Sequence, residues 1–509
     1  MNSSTANKRP GQGGGTSGPD ARADDVLCYM DQGSFVALRA LGRGPVVQVT
    51  WLYPGAIDEA AVREFSERLS GGLLGRLLQR SPLPWGRHRW VANPVPGPVT
   101  WFRDPLPSER LPELRRLLLD LPVDPERGPG WRLAVQALEG GGCALTMLVS
   151  HTIADMRAAS LAITDAVAGR SLDHGFPAPS WRWSPVMLLR DSVESLRALP
   201  DVWCALAALA RRSRKGRAGL LPSSSRVRSG RDRFEPAVDA PLVPVVMDAG
   251  ECQQRASDLG VASSTLIMAF VARLAFRIGR VDASGRVKLV LPVSDRRSGD
   301  RRGNALRSIT VMADPDVCRD DPGALQRDFK AALSSLDQHG DDLSPFFPLI
   351  PYVPLWLVRH LEQEALGAGA PVGCSLVGEL PLDVNRPCGE ALLLQATPLE
   401  RYTASELARL GGVLFTGCYR VNEQLSCTVS CYVPDRVTSH AELMPFVRDA
   451  LADMGLRGTI GWRWPVDKAD GATPAERSSD AQRVDDLHAG GPDGRQETSE
   501  KAHHEGEDE

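Results

Sequence analysis

Apolar positions recur at helical spacing from Ile57 to Leu78 (Ile57, Ala61, Phe65, Leu69). Asp58 and Glu59 stand at the start, where acidic groups favour the helix dipole, so the pattern predicts a helix over 57–78. A shorter helix is predicted over Leu111–Leu121. Two continuous apolar runs follow, Trp131–Leu138 and Ala144–Val149, separated by Glu139 and three glycines, which reads as a hairpin. Directly after the second run stands Ser150-His151-Thr152-Ile153-Ala154-Asp155. A helix candidate then runs from Met156 to Val167, with Ala159, Ile163 and Val167 on one face.

The second half repeats this mixture. Leu242–Met247 is strand-like, and Pro244, which has no N–H to donate, favours an edge position. Helices are predicted over Glu251–Leu259 and Ser263–Ile278, strands over Val287–Val293, Ala391–Ala396 and Gln424–Val433, and a closing helix over Ala441–Met454. Both halves alternate strands and helices without the regular rhythm of a doubly wound sheet, which places the chain in the α/β class.

A length of 509 residues, at roughly 100–200 per domain, suggests more than one domain. Residues 1–24 are polar and Gly/Ser-rich and read as a disordered arm, with no apolar stretch that would make a secretory signal. Globular patterning covers 25–210 and 241–468. Between them, Arg211 to Arg233 carries nine Lys/Arg against one Asp, with no aromatic residues to stack on bases, so 211–240 reads as a solvated basic linker rather than a nucleic-acid site. From Ala469 to the end, twelve Asp/Glu face four Lys/Arg, and residues 469–509 read as a disordered acidic tail. The net charge of −4 therefore hides about +4 on the rest of the chain.

Ten cysteines form no CxxC pair, and no metal-ligand spacing is present, so they read as reduced core thiols of a cytoplasmic protein. From residue 25 onward neither GxGxxG nor GxxxxGK[ST] occurs, which leaves nucleotide binding through a glycine-rich loop without support, and no GxSxG elbow marks a serine nucleophile. The residue best placed for chemistry is His151. It follows the apolar run ALTMLV where that strand should end, with a carboxylate four residues on, a setting that suits a general base.

The segment around His151 resembles the HHxxxDG signature of the coenzyme-A-dependent acyltransferase superfamily, which includes chloramphenicol-acetyltransferase-like enzymes, nonribosomal peptide condensation domains and wax ester synthase/diacylglycerol acyltransferase-like proteins. WRLAVQALEGGGCALTMLVSHTIAD is similar to the hairpin leading into that family's catalytic loop. VKLVLPVSDRRSGDRRGN resembles its apolar strand, PVSxR turn and downstream Gly-Asn, and LSCTVSCYVPDRVTSHAELMPFVRDAL its C-terminal strand and helix. Ser150 replaces the first histidine, Met156 the glycine, Ser264-Thr265 an Asn-Asp pair, and CSLVGELP (374–381) an Asn-x-Pro-Gly-like segment.

The resemblance implies two similar mixed-sheet lobes, a pseudo-dimer of the chloramphenicol acetyltransferase kind, with a tunnel between them. It implies acyl transfer from a thioester to an alcohol or amine, in lipid or secondary-metabolite biosynthesis, with no bound cofactor and no metal. The donor would be acyl-CoA or the phosphopantetheinyl thioester of an acyl carrier protein, and the acceptor a small molecule. No nucleic acid is implied, and a peripheral membrane contact stays open. His151 would be the base. Asp155 would pair with Arg296, Arg297 being the fallback, to hold the loop, while Ser150, Met156, Asn304 and Ser375 would face substrate. Met156 has two outcomes, plugging one arm of the cavity or turning into the core beneath its helix. A relative that keeps the shell without catalysis is the alternative reading. The Ala/Arg/Gly/Pro-rich, Lys-poor composition fits a high-GC, actinobacterial genome.

Overall fold

The computed structural model describes residues 25–461 apart from 108–109, 171, 173, 215–234, 341–343 and 360–369. The N-terminal arm, most of the basic linker and the acidic tail fall outside the described residues.

In chain order the helices are α1 (Tyr29–Leu41), α2 (Glu59–Ser70), α3 (Leu111–Leu119), α4 (Met156–Val167), α5 (Pro185–Arg214), α6 (Ala249–Asp258), α7 (Ser263–Ile278), α8 (Pro315–Asp320) and α9 (Gly323–His339). A closing helix spans His440–Asp453. The strands of the first half are β1 (Val46–Tyr53), β2 (Arg76–Gln79), β3 (Arg89–Ala92), β4 (Val99–Leu106), β5 (Trp131–Leu138) and β6 (Cys143–Ser150). Those of the second are β7 (Ala237–Val238), β8 (Leu242–Asp248), β9 (Val287–Ser294), β10 (Leu306–Ala313), β11 (Val372–Glu379), β12 (Leu393–Leu399), β13 (Tyr402–Thr403), β14 (Val413–Val421), β15 (Gln424–Tyr432) and β16 (Thr459–Ile460).

Two mixed sheets carry the architecture. The first has the order β12-β1-β6-β5-β4 and the second β10-β9-β11-β14-β15-β8-β16. β5 and β6 pair antiparallel, as their glycine-rich turn predicts, whereas β4 runs parallel to β5. Helices α2 and α4 bury Val62, Phe65, Leu69, Ala159 and Ile163 in the core of the first sheet. α7 is apolar on nearly every face and fills the core of the second, against α6, α9 and the closing helix.

Sheet membership does not follow chain order. β12 comes from the second half, yet pairs antiparallel with β1 from Val46↔Leu399 to Leu52↔Leu393. Leu380, Val384, Ala391 and Leu394 are buried in the first core with it, and the indole N–H of Trp51 donates to the Val384 carbonyl at 2.7 Å. The Tyr419 hydroxyl on β14 donates to Leu394 O (2.7 Å) and accepts from Ala396 N (3.1 Å), tying the transferred strand back to the second sheet.

Two patterns resolve differently from the sequence expectation. The helix expected to reach Leu78 stops at Ser70, and the chain turns through Gly71, Gly72 and Gly75 into β2. Gly75 is required there, because a Cβ would stand 2.0 Å from the Ser70 carbonyl oxygen. β8 is next to the edge rather than at it, because β16 adds a two-residue strand beside Val245 and Val246.

Candidate active site

β6 delivers the site. It is buried along its whole length, and its last residue, Ser150, accepts from the amides of Ile153 (2.8 Å) and Ala154 (3.3 Å), which folds 151–155 into a tight loop. Asp155 ends the loop as the N-cap of α4, accepting the Ala158 amide at 2.7 Å, where a carboxylate satisfies an orphan helix donor. The same carboxylate receives an Arg296 guanidinium N–H at 2.9 Å and the Ala305 amide at 3.0 Å. Arg296 and Asp155 keep only 5% and 3% of their side-chain surface exposed. With three donors on its two oxygens, Asp155 fastens the loop, although it also borders the cavity that His151 faces.

The loop at 303–305 locks onto 151–155 along its backbone. The Asp155 amide donates to Gly303 O at 2.8 Å, and Arg296 donates to the same oxygen at 3.0 Å. A Cβ on Gly303 would lie 2.5 Å from Thr152 O and 2.8 Å from Ile153 O, so only glycine permits this approach. Asn304 comes next, and its side chain sets the histidine. Its Nδ2 donates to Asp31 Oδ1 at 3.0 Å and to the His151 carbonyl at 2.8 Å, which fixes which end of the amide is oxygen. That oxygen lies 2.8 Å from His151 Nδ1. Nδ1 must therefore carry the proton, and the neutral ring presents its Nε2 lone pair as a base.

Two buried charged groups absent from the sequence reading hold this arrangement. Asp31, in the first turn of α1, accepts the amides of Gly303 (2.9 Å) and Asn304 (2.7 Å) besides the Asn304 side chain. Burial pushes its carboxyl up from the ordinary range, against the pull of Arg76 and these donors. Arg76, the first residue of β2, donates to Ile153 O at 2.6 Å and to Arg301 O, and its guanidinium stacks 4.1 Å from the Trp90 ring. Burial lowers the Arg76 guanidinium to about 10. Neither residue sits in a local motif. Each is recognisable only once its partners from the other half are in place.

His151 faces a cavity of about 470 Å³, within the roughly 300–1,000 Å³ of small-molecule sites. Both halves line it. Val47, Met156 and Arg157 come from the first, and Leu291, Val293, Phe329, Leu333, Leu376 and Phe415 from the second. Polar groups at the wall include Ser294, Ser375, Thr397 and Glu400. Of the residues expected to face substrate, Ser375 and Met156 line this cavity, and Met156 also packs against the first core. Ser150 and Asn304 do not line the cavity. Ser150 is buried in the sheet, and Asn304 acts from behind His151. Arg297 is not needed as a fallback, since Arg296 makes the pair. Among the described residues no cluster of His, Cys, Asp and Glu could hold a metal ion.

This geometry makes Asn304 a positioning residue with a measurable role. If His151 supplies the base, Asn304→Ala is expected to lower kcat about 100-fold, the scale of a misplacement near 1 Å, while leaving the donor KM nearly unchanged. Steady-state kinetics resolve the two constants. A rise in KM with kcat intact would assign Asn304 to substrate binding instead.

No family model matches the chain, and no curated protein does. Solved structures do. The first condensation domain of the CDA synthetase aligns over 86% of this chain and 99% of its own, at 14% identity and a TM-score of 0.50. TRI101 of F. sporotrichioides, solved with coenzyme A and T-2, aligns over 86% and 99% at 12% identity and a TM-score of 0.49. Polyketide synthase associated protein 5 from Mycobacterium tuberculosis aligns over 84% and 97% at 12% identity and 0.48. On the first of these, the chain has the condensation-domain fold, the two-lobe architecture expected of the coenzyme-A-dependent acyltransferase superfamily.

Proposed function

We propose that the protein is an acyltransferase that moves an acyl group from a thioester, carried on coenzyme A or on the phosphopantetheine of a carrier protein, to an alcohol or amine. The observation that carries this reading is the orientation of His151, whose Nδ1 is held by Asn304 while Nε2 is left as a base at the wall of a largely apolar cavity. In the proposed step the acceptor O–H or N–H gives its proton to Nε2 as its lone pair attacks the thioester carbonyl carbon. The tetrahedral intermediate then expels the thiolate, which takes the proton back from the imidazolium. Leu291, Val293, Leu333 and Phe415 give the acyl chain an apolar bed. A tunnel between the lobes, reached by donor and acceptor from opposite ends, belongs to the same proposal, as does a place in lipid or secondary-metabolite biosynthesis.

The test is thiol release from a panel of acyl-CoA and acyl-phosphopantetheine donors, with and without amine and alcohol acceptors. Acceptor-dependent release supports transfer. No release from any donor would favour a shell without catalysis.

Met156 supplies a test of specificity. Its side chain occupies cavity wall that the resembling family leaves to glycine, so Met156→Gly is expected to shift kcat/KM toward longer acyl donors. Glycine at this first position of α4 costs at most about 1 kcal/mol in helix stability. An unchanged chain-length profile would assign Met156 to the core alone.

A further inference from the structure

We propose that Arg157 gives the cavity a binding point for a carboxylate, so that one of the two substrates carries an acid group near its reacting centre. This deepens the acyl-transfer reading and rests on it. Arg157 is the second residue of α4 and lines the cavity that His151 faces. It is half-buried, against a wall that includes Leu376 and Val377. It also stands in the first turn of a helix, where the positive end of the dipole disfavours a cation. Nothing in the protein offsets that placement: among the described residues no carboxylate, carbonyl or aromatic ring pairs with the guanidinium. Its neighbours around the 151–155 loop do find acceptors, Arg296 on Asp155, Arg76 on the Ile153 carbonyl and Arg302 on Asp300.

The guanidinium has a place made for it. β11 shifts register between Leu376 and Gly378. Gly378 has φ +83°, and a Cβ there would stand 3.0 Å from Arg157 Nη2, so the glycine leaves the space that the guanidinium takes. The side chain thus reaches from α4 in the first half to β11 in the second. The acidic groups on the same wall are already engaged. Asp155 holds its three donors, and Glu400 accepts from the Tyr402 hydroxyl and lies in the field of Arg115. One uncompensated guanidinium calls for one negative charge. A carboxylate matches it in charge and, through two parallel N–H···O bonds, in shape. A phosphate dianion would leave a charge unanswered on a wall that already carries Glu400. The carboxylate belongs to the acyl chain or to the acceptor, since in the proposed reaction both meet His151 in this cavity.

The first measurement uses the full chain and needs no turnover, so it stands apart from the acyl-transfer reading. Hexanoate and its neutral counterpart hexanamide are titrated into the protein and followed by ligand-observed NMR. Hexanoate is expected to bind about tenfold tighter, the scale of a hydrogen bond to a charged group. Arg157→Gln is expected to erase that difference, and Arg157→Lys, which keeps the charge without the planar fork, to retain part of it. Both variants should keep the wild-type melting transition, because Arg157 makes no bond within the protein. The second measurement finds the bearer of the acid group. Thiol release is compared for succinyl-CoA against butyryl-CoA as donor, and for β-alanine against propylamine as acceptor. A preference of about 10–100-fold in kcat/KM for the acid member of one pair, lost in Arg157→Gln, names the acyl chain or the acceptor. Equal binding of hexanoate and hexanamide would overturn the proposal, and so would a hexanoate preference that survives Arg157→Gln. Transfer that ignores the acid group in both pairs would overturn its assignment to a substrate. No thiol release from any donor, with the hexanoate preference intact, would strike acyl transfer and leave the carboxylate site standing.

Discussion

His151→Ala is expected to reduce acyl transfer by about 10²–10⁴-fold, the typical worth of a positioned general base. The size follows from proton affinities. An alcohol resembling water is less acidic than an imidazolium by roughly 9 pKa units, and full deprotonation before attack would cost on the order of 12 kcal/mol. Proton removal must therefore accompany attack, and the base must already be aimed. If His151 is that base, as proposed, its aim is set by the 2.8 Å contact between Nδ1 and the Asn304 amide oxygen, itself fixed by Asp31. Transfer assayed for wild type and variant at matched donor saturation checks the expectation. Because His151 is only partly buried, the variant should fold normally. Transfer retained within a few-fold would remove His151 from the reaction.

The second large effect concerns stability. Asp155→Asn leaves Arg296 buried with its countercharge gone, and an amide nitrogen in place of one acceptor. Breaking a buried pair in this way costs roughly 3–5 kcal/mol, because the remaining charge is stranded. The denaturant midpoint should fall accordingly, and activity with it, since the same carboxylate joins 151–155 to Ala305. Replacing both partners, as Asp155→Asn with Arg296→Met, should cost less than the sum of the single changes if the two act as a unit. Strict additivity would show that they do not.

What could be read from the chain depends on where each residue's partners lie. The β5–β6 hairpin and α4 stand where predicted because their signals are local: continuous apolar runs around a glycine turn, and a helical stripe behind a capping aspartate. α7 does too, since a long unbroken apolar run has few other fates. α5 escaped notice. Its clearest apolar stripe faces solvent, and Pro200 interrupts it, so periodicity could not be read as a core face. The Asp155–Arg296 pairing came from resemblance to a family, not from spacing, because 141 residues separate the partners. Asp31 was invisible for the same reason. It looks like an ordinary acidic residue in a helix's first turn until Gly303, 272 residues away, is brought to it.

The transfer of β12 into the first sheet bears on how the chain can be made. During synthesis the first lobe emerges with the edge of β1 bare and with its core lacking Leu380, Val384 and Leu394, all of which follow much later. At about 5–20 residues per second, roughly 20–70 s pass between release of β1 and release of β12. Over that interval an apolar strand has unpaired backbone groups on one side, a template for pairing with other nascent chains. The lobe that carries His151 is thus the first to be born and cannot be the first to be finished.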